Sequence, residues 1–574
     1  MVFHEENDGG GILGAHLGFN SDADATGGAR RRQFEPIVGS ASHNILCPLL
    51  TDMYQITMCY AYFNAGRHRK HAVFDLFFRK NPFQGEYTIF AGLEDCLKFI
   101  EDYKFTEEHL DFLRAQMPTA KEEFLEYLRQ LDCSEVKIYA MKEGSVCFPR
   151  QPLLRVEGPV GICQLLETTL LCLINFASLV ATNAARMRAA VGPNKTLLEF
   201  GLRRSQGPDG GLSASKYSYI GGFDGTSSAL AGLKFGMKVL CRDGFRDGFV
   251  QSFSSLDDLE STFIESPTGG APVDILVIVQ KYRKELNWGH TNNGELAAFI
   301  GYSQAFPTAF LALVDTYDTL VSGIPNFLLC ALAMYEIGFK PLGIRLDSGD
   351  LAYLSLEARN MFKQIEDRFN IPGMAAQLKI VASNDIGEDT LYSLAQQGHS
   401  IDTFGIGTHI STCQTQPALG CVYKLVEFDG NPRIKLSQEI RKVSVPGKKI
   451  IYRLIGRAGF PLVDLMILDS ESPDNEPRAG ERVMCRHPLD PTKRVVCIPH
   501  KVQALLSVVW DTKRSHPPNS ITSIRAVAMK ELSLLRHDHV RYLNPTPYKV
   551  SLSEHLFTTM HDLWRVEAPI AELS

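Results

Sequence analysis

Between residues 196 and 408 the chain repeats one unit: a short apolar run, a polar loop, then a helical pattern. Strand-like runs span 196–200, 310–314, 342–346, 378–382 and 401–404. Helical patterns follow at about 326–337, 351–369 and 388–397. Strand, loop and helix at this spacing is the rhythm of a parallel sheet with crossover helices. Polar residues recur just after the strands: Asp315, Asp347-Ser-Gly-Asp350, Ser383-Asn384-Asp385 and Gly405-Ile-Gly-Thr408. That end is the active-site mouth of a β/α barrel and the ligand crevice of an open doubly wound sheet. Strand patterns on both sides of residue 250 favour the barrel.

The rest of the chain is divided around this core. Residues 1–44 hold eight glycines and the run Arg30-Arg31-Arg32, with no sustained period of 2 or 3.6. A flexible extension is expected there. Residues 45–175 form the first part of a flanking domain, 176–437 the barrel, and 438–574 a β-rich and helical part packing beside the flanking domain. Thr119-Ala-Lys-Glu122 and Ser551-Leu-Ser-Glu554 read as capping boxes that open helices. Residues 164–191 read as one long buried helix stopped by Gly192-Pro193. The apolar stretch 165–181 contains Glu167, Asn175 and Ser178, and is shorter and more polar than a membrane span needs.

Composition excludes several classes. The 574 residues are 45% hydrophobic and 22% charged, as in globular proteins. A net charge of -6 is a poor basis for binding nucleic acid, whose affinity rests on phosphate neutralisation. Thirteen scattered cysteines without a C-x-x-C pair suggest reduced thiols and a cytosolic protein. No secretory signal is visible at the N-terminus. There is no strand-linked G-x-G-x-x-G, Walker loop or G-x-S-x-G elbow.

Individual motifs leave alternatives open. Gly405-Ile-Gly-Thr408 is a phosphate cradle or an ordinary tight turn. Asp347 and Asp350 can hold Mg²⁺ or meet ribose hydroxyls, and Asp350 can equally cap the next helix. Arg345 stands inside an apolar strand, so its guanidinium must find an anion: a ligand, or a structural partner such as Asp347 or Asp315. Cys485-Arg-His487 and Cys497-Ile-Pro-His500 match no standard zinc knuckle, and incidental turns are the better reading.

Longer words are more specific. Leu49-Leu-Thr-Asp-Met-Tyr-Gln-Ile-Thr-Met58, Gly201-Leu-Arg-Arg-Ser-Gln-Gly-Pro-Asp-Gly210, Arg345-Leu-Asp-Ser-Gly-Asp350 and Gly405-Ile-Gly-Thr408 stand in order along the chain. With Pro325-Asn-Phe327 and Gly420-Cys-Val-Tyr-Lys-Leu425, they resemble the nicotinate phosphoribosyltransferase family over residues 45–570. The resemblance implies an irregular β/α barrel with a flanking α/β domain formed by both chain ends. It implies a homodimer with shared active sites, and no membrane or nucleic-acid partner. The implied reaction joins nicotinate to phosphoribosyl pyrophosphate, with Mg²⁺ or Mn²⁺ present and ATP as co-substrate. Tyr54 would stack on the pyridine ring across the dimer, and Arg345 would grip the nicotinate carboxylate. Arg204, Asn384, Gly407 and Thr408 would hold the phosphoribosyl pyrophosphate. Asp315 would orient substrate, while Asp347 and Asp350 are candidate metal ligands.

One segment departs from the family's pattern. Where the family carries Gly-Thr-x-x-His, with a histidine phosphorylated by ATP, this chain reads Cys241-Arg-Asp-Gly-Phe-Arg-Asp-Gly-Phe249. No histidine lies between His109 and His290. Either the loop is a natural variant, in a weak ATP-uncoupled enzyme or a silent isoform, or the sequence is altered here. Arg242 or Arg246 could still meet a phosphate.

Overall fold

The computed structural model describes residues 45–239, 247–267, 269–439, 442–471 and 473–570. The proposed extension 1–44, and Arg242 and Arg246, lie outside them.

The repeating unit forms a six-stranded all-parallel sheet. Its order is Leu311–Leu313, Gly343–Leu346, Lys379–Ala382, Thr403–Ile406, Thr196–Glu199, Gly225–Thr226. Each strand pairs with its chain neighbour, and the last, Thr403–Ile406, pairs with the first, Thr196–Glu199. That circular order is the order of a barrel. A parallel bridge from Thr226 to Val239 extends the ring by one position. Among the described residues no strand between Val239 and Leu311 joins this sheet, where Phe263–Ile264 and Val273–Asp274 pair only with each other, so the barrel is irregular.

A second sheet is antiparallel and draws on both ends of the chain. His71–Phe78, Lys137–Met141 and Leu154–Pro159 pair within it alongside Cys421–Phe428 and Leu506–Asp511. A third sheet, centred on Lys449–Ile455 and Pro461–Leu468, packs its own small core of Leu454, Val463, Leu465, Cys485 and Cys497. The two cysteines that entered the zinc alternative are therefore core side chains. No group of three metal-ligating side chains occurs among the described residues. The twelve cysteines among the described residues are all free.

Local chemistry explains where the elements fall, and where the expectations miss. The long helix runs Glu167–Val191, separated at Leu166 from a shorter one, Val160–Leu165. Gly192, at φ 74°, stops it as expected. With 25 residues it is long enough to cross a membrane, contrary to the length argument, but 67% of its most apolar window is buried inside the protein. Its polar residues have partners. Thr182 Oγ1 accepts the Ile89 N–H at 2.9 Å, and Ser178 Oγ accepts the Ala91 N–H at 3.0 Å.

Both expected capping boxes are displaced. The helix Glu122–Gln130 buries Phe124, Leu125 and Leu128, but its N-cap is Lys121, and Thr119 makes no cap. The helix Glu554–Glu567 is capped by Ser553, whose Oγ accepts the Leu556 N–H at 3.1 Å. Ser551 belongs instead to the strand Val550–Leu552.

Candidate active site

A polar cavity of about 530 Å³ opens at the C-terminal ends of the parallel strands. Phe200, Arg203 and Arg204 follow the strand Thr196–Glu199, and Ser227 follows Gly225–Thr226. Arg345 and Asp347 come from the end of Gly343–Leu346, and Ser383, Asn384 and Asp385 follow Lys379–Ala382. Gly405, Gly407 and Thr408 close the ring. Parallel strands in barrel order bring these ends together, although Arg204 and Arg345 are far apart in sequence.

Arg345 is the buried cation of the cavity, at 6% exposure. Its Nε donates to Ser383 Oγ at 2.9 Å and its Nη2 to Asp347 Oδ1 at 3.0 Å. The Phe200 ring lies under the guanidinium, 5.5 Å from centroid to Cζ. The pairing foreseen with Asp347 thus exists, while Nη1 donates to none of the described residues. An anionic ligand can meet that end of the fork.

The glycines have different tasks. A Cβ on Gly405 would stand 2.2 Å from the Phe200 ring, so this glycine admits the ring beneath Arg345. A Cβ on Gly201 would strike Ser411 Cβ at 2.5 Å and Gly407 O at 2.7 Å. Side chains there would prise apart the turn carrying Arg203 and Arg204 from the turn carrying Thr408.

Asp315 sits beside the cavity rather than in its lining. Its Oδ2 accepts from Ser348 Oγ at 2.5 Å, and its buried Oδ1 has no hydrogen-bond partner among the described residues. Burial raises its carboxyl pKa, with Asp347 and Asp247 adding to the rise against the Ser348 hydrogen bond. An orphaned buried acceptor can receive a ligand hydroxyl. Thr316 Oγ1 donates to Asp247 Oδ1 at 3.1 Å, which ties the end of the departing 241–249 segment to this corner.

The remaining candidates are elsewhere. Asp350 caps the helix Leu351–Phe369 by accepting the Tyr353 N–H at 3.0 Å, and does not line the cavity. Tyr54 lies on the helix Met53–Asn64, 54% exposed, and does not line it either. Sequence reasoning missed Phe200 and Ser227 as lining residues and Ser383 as Arg345's partner. Ser383 carried a signal, as the first polar residue after its strand.

For a divalent cation, Asp347 is the side chain with the right chemistry. Its Oδ1 accepts from Arg345 and Ser383, and no described residue donates to its Oδ2. Mg²⁺ needs few protein oxygens when phosphates and waters complete its shell, so this residue fits.

Residues 49–175 match the nicotinate phosphoribosyltransferase N-terminal domain, and residues 448–560 the corresponding C-terminal domain. The chain is 52% identical to the nicotinate phosphoribosyltransferase of Dictyostelium discoideum, over 92% of this chain and 90% of that protein. It is 51% identical to nicotinate phosphoribosyltransferase 2 of Arabidopsis thaliana, over 94% and 98%. The crystal structure of human nicotinic acid phosphoribosyltransferase superposes with a TM-score of 0.80 at 41% identity, covering 89% of this chain and 99% of that one. A nicotinate-nucleotide pyrophosphorylase from Pyrococcus furiosus, 18% identical with a TM-score of 0.55, shares the fold. Identity of this extent along nearly the whole chain means that the protein belongs to the nicotinate phosphoribosyltransferase family.

Proposed function

We propose that the protein joins nicotinate to phosphoribosyl pyrophosphate. The pyridine nitrogen attacks C1 of the ribose, the C1–oxygen bond breaks, and pyrophosphate leaves with the bonding pair. The product, nicotinate mononucleotide, enters NAD salvage. The observation that carries this reading is the arginine-lined cavity at the strand ends, with Arg345 buried at its base.

Departure of pyrophosphate leaves positive charge on the ribose, so positioning and leaving-group stabilisation do the work and no protein nucleophile is needed. Arg345 receives the nicotinate carboxylate on its open Nη1, which favours the acid over the neutral amide. Arg204, Asn384, Gly407 and Thr408 hold the phosphoribosyl pyrophosphate. Asp315 Oδ1 accepts a substrate hydroxyl. Mg²⁺ or Mn²⁺, held through Asp347, neutralises charge on the pyrophosphate when bound. Asp350 serves the helix.

Tyr54 completes the site from a second copy of the chain. Its half-exposed ring, outside its own chain's cavity, supports a homodimer with shared sites. The free thiols fit a cytosolic location. The chain lacks the phospho-accepting histidine at 241–249, so ATP coupling through that segment is not expected.

The test is product formation from nicotinate or nicotinamide, with and without ATP. Nicotinate mononucleotide is expected, with little ATP stimulation. Strong stimulation, with a phosphohistidine elsewhere in the chain, would overturn the uncoupled reading. Preference for nicotinamide would overturn the role of Arg345. A purified chain that forms no nucleotide at saturating substrate, yet is thermally stabilised by it, would mark a silent isoform.

A further inference from the structure

A second cavity, of about 690 Å³, lies apart from the strand-end site. Three segments meet there: Pro149 and Arg150, the turn and strands around 485–495, and residues 546–551. Its size is that of a small-molecule site.

The lining is strongly asymmetric in charge. Arg150, His487, Lys493, Arg494 and Lys549 stand against one carboxylate, Glu86. Arg150 and His487 are held in place, and Lys493 pairs with Asp490 Oδ2 at 3.3 Å. Arg150 sits at φ 72°, a left-handed conformation that a long side chain rarely adopts, and its N–H is fixed to Phe78 O at 2.8 Å. His487 Nδ1 accepts the N–H groups of Leu489 at 3.2 Å and Asp490 at 3.0 Å, so Nε2 is the donor end of the ring. Burial, with the charges of Lys493 and Arg150, lowers the imidazole's pKa against the pull of Asp490. Like charges held together repel, and an anion between them relieves the repulsion.

Beside the hydroxyls of Thr492, Thr546 and Ser551, the lining carries a flat apolar face. Pro149, Pro488 and Pro547 contribute, with the ring of Tyr548. Tyr548 is rigid: it stacks on Phe148 at 3.7 Å and donates its hydroxyl to Asp464 Oδ1 at 2.9 Å. A rigid apolar face beside a basic cluster suits a ligand with a planar ring at one end and phosphate at the other.

We propose that this cavity binds a nucleoside phosphate, with its phosphates on Arg150, His487 and Lys493 and its base against the proline and tyrosine lining. The site is separate from the strand-end cavity and does not depend on the proposed reaction.

Calorimetric titration of the full chain with ADP tests it, with adenosine and inorganic phosphate as the comparison probes. Lys493→Glu/Lys549→Glu alters two exposed side chains. ADP binding is expected to weaken at least roughly tenfold in this variant, as the charge-assisted contact of Lys493 and the neighbouring charge of Lys549 both become repulsive. Binding is expected to persist in Arg204→Ala, and adenosine is expected to bind far more weakly than ADP. The milder Lys493→Gln/Lys549→Gln is expected to weaken binding in the same direction, and both variants should keep the wild-type melting temperature and rate of product formation. Binding unaffected by either double variant, binding lost only in Arg204→Ala, inorganic phosphate binding as tightly as ADP, or no ADP binding at all would overturn the proposal. None of these results bears on whether the strand-end site makes nucleotide.

Discussion

Replacing Glu199 asks whether the phosphate-side arginines are held by a buried carboxylate or by their own turn. Glu199 ends the strand Thr196–Glu199 and is fully buried. One oxygen accepts the Gly201 N–H, at the start of the turn Leu202–Arg204. The other accepts Ser215 Oγ at 2.7 Å, on the helix Gly207–Ile220, and Thr226 Oγ1 at 2.6 Å. One side chain thus ties the cavity-lining turn Leu202–Arg204 to a helix and to the strand that precedes Ser227. Burial raises its carboxyl pKa while these three donors pull it back. In Glu199→Ala the Gly201 N–H is left without an acceptor, at a cost of about 1–3 kcal/mol. Ser215 loses less, because Gly211 O lies 3.2 Å from its hydroxyl. The void left by truncation adds a further cost on the order of 1 kcal/mol. If about 1.4 kcal/mol of the total falls on the ordering of the turn, the KM for phosphoribosyl pyrophosphate rises about tenfold. The KM for nicotinate should change less than about threefold, because Arg345 is anchored separately by Ser383 and Asp347. Glu199→Gln keeps an acceptor for Gly201, and the two hydroxyls can rotate to accept its amide, so it should retain near-wild-type values. Initial rates with each substrate varied, alongside thermal unfolding, make the measurement. A Glu199→Ala variant with a lower melting temperature and an unchanged phosphoribosyl pyrophosphate KM would refute the positioning role. If Glu199→Gln were as damaging as Glu199→Ala, ionisation rather than acceptor geometry would be what matters.

Arg345→Ala should raise the nicotinate KM by roughly 10- to 150-fold, the value of a hydrogen bond to a charged group, and narrow the preference for nicotinate over nicotinamide; an unchanged preference in competition assays would contradict it. Tyr54→Ala and Arg345→Ala subunits, each strongly impaired alone at a nicotinate concentration near the wild-type KM, should recover about a quarter of wild-type activity at that concentration when unfolded and refolded together, because a C2 mixed dimer carries one intact shared site; no recovery despite proven mixed dimers would mean that the sites are not shared. Burial raises the Glu143 carboxyl pKa from 4.5 to about 7, with Lys216 opposing and Glu94 reinforcing the rise. A raised carboxyl contributes stability that is whole below pH 4.5 and is lost as pH climbs to about 7, worth about 3 kcal/mol across that window. Glu143→Gln should flatten the melting temperature over this range relative to wild type, and parallel pH profiles would count against it.

What the sequence revealed and what it hid follow one physical division. The strands and helices of the barrel were legible because their signals are local: apolar runs, and a helix at Leu351–Phe369 that begins beside its own capping Asp350. The capping boxes at Thr119 and Ser551 were local signals too, yet tertiary packing overrode them. Val550–Leu552 joins the third sheet, and the cap moves to Ser553. Arg345 was legible because a guanidinium in an apolar strand needs an anion. Glu199 is the same anomaly with the opposite sign, a carboxylate closing the apolar strand Thr196–Glu199, and the same reasoning applied to it would have asked for its donors. Those donors, Ser215 and Thr226, are ordinary hydroxyls without a pattern, and only the fold brings them to it. The second cavity was hidden more completely. His487 drew notice in sequence only beside Cys485, as a poor zinc ligand, and Arg150, Lys493 and Lys549 carried no signal; the four come from three separate segments, and their shared charge exists only once the segments meet. A catalytic constellation at strand ends can therefore be anticipated from periodicity, whereas a charge cluster assembled from loops has to be found in three dimensions.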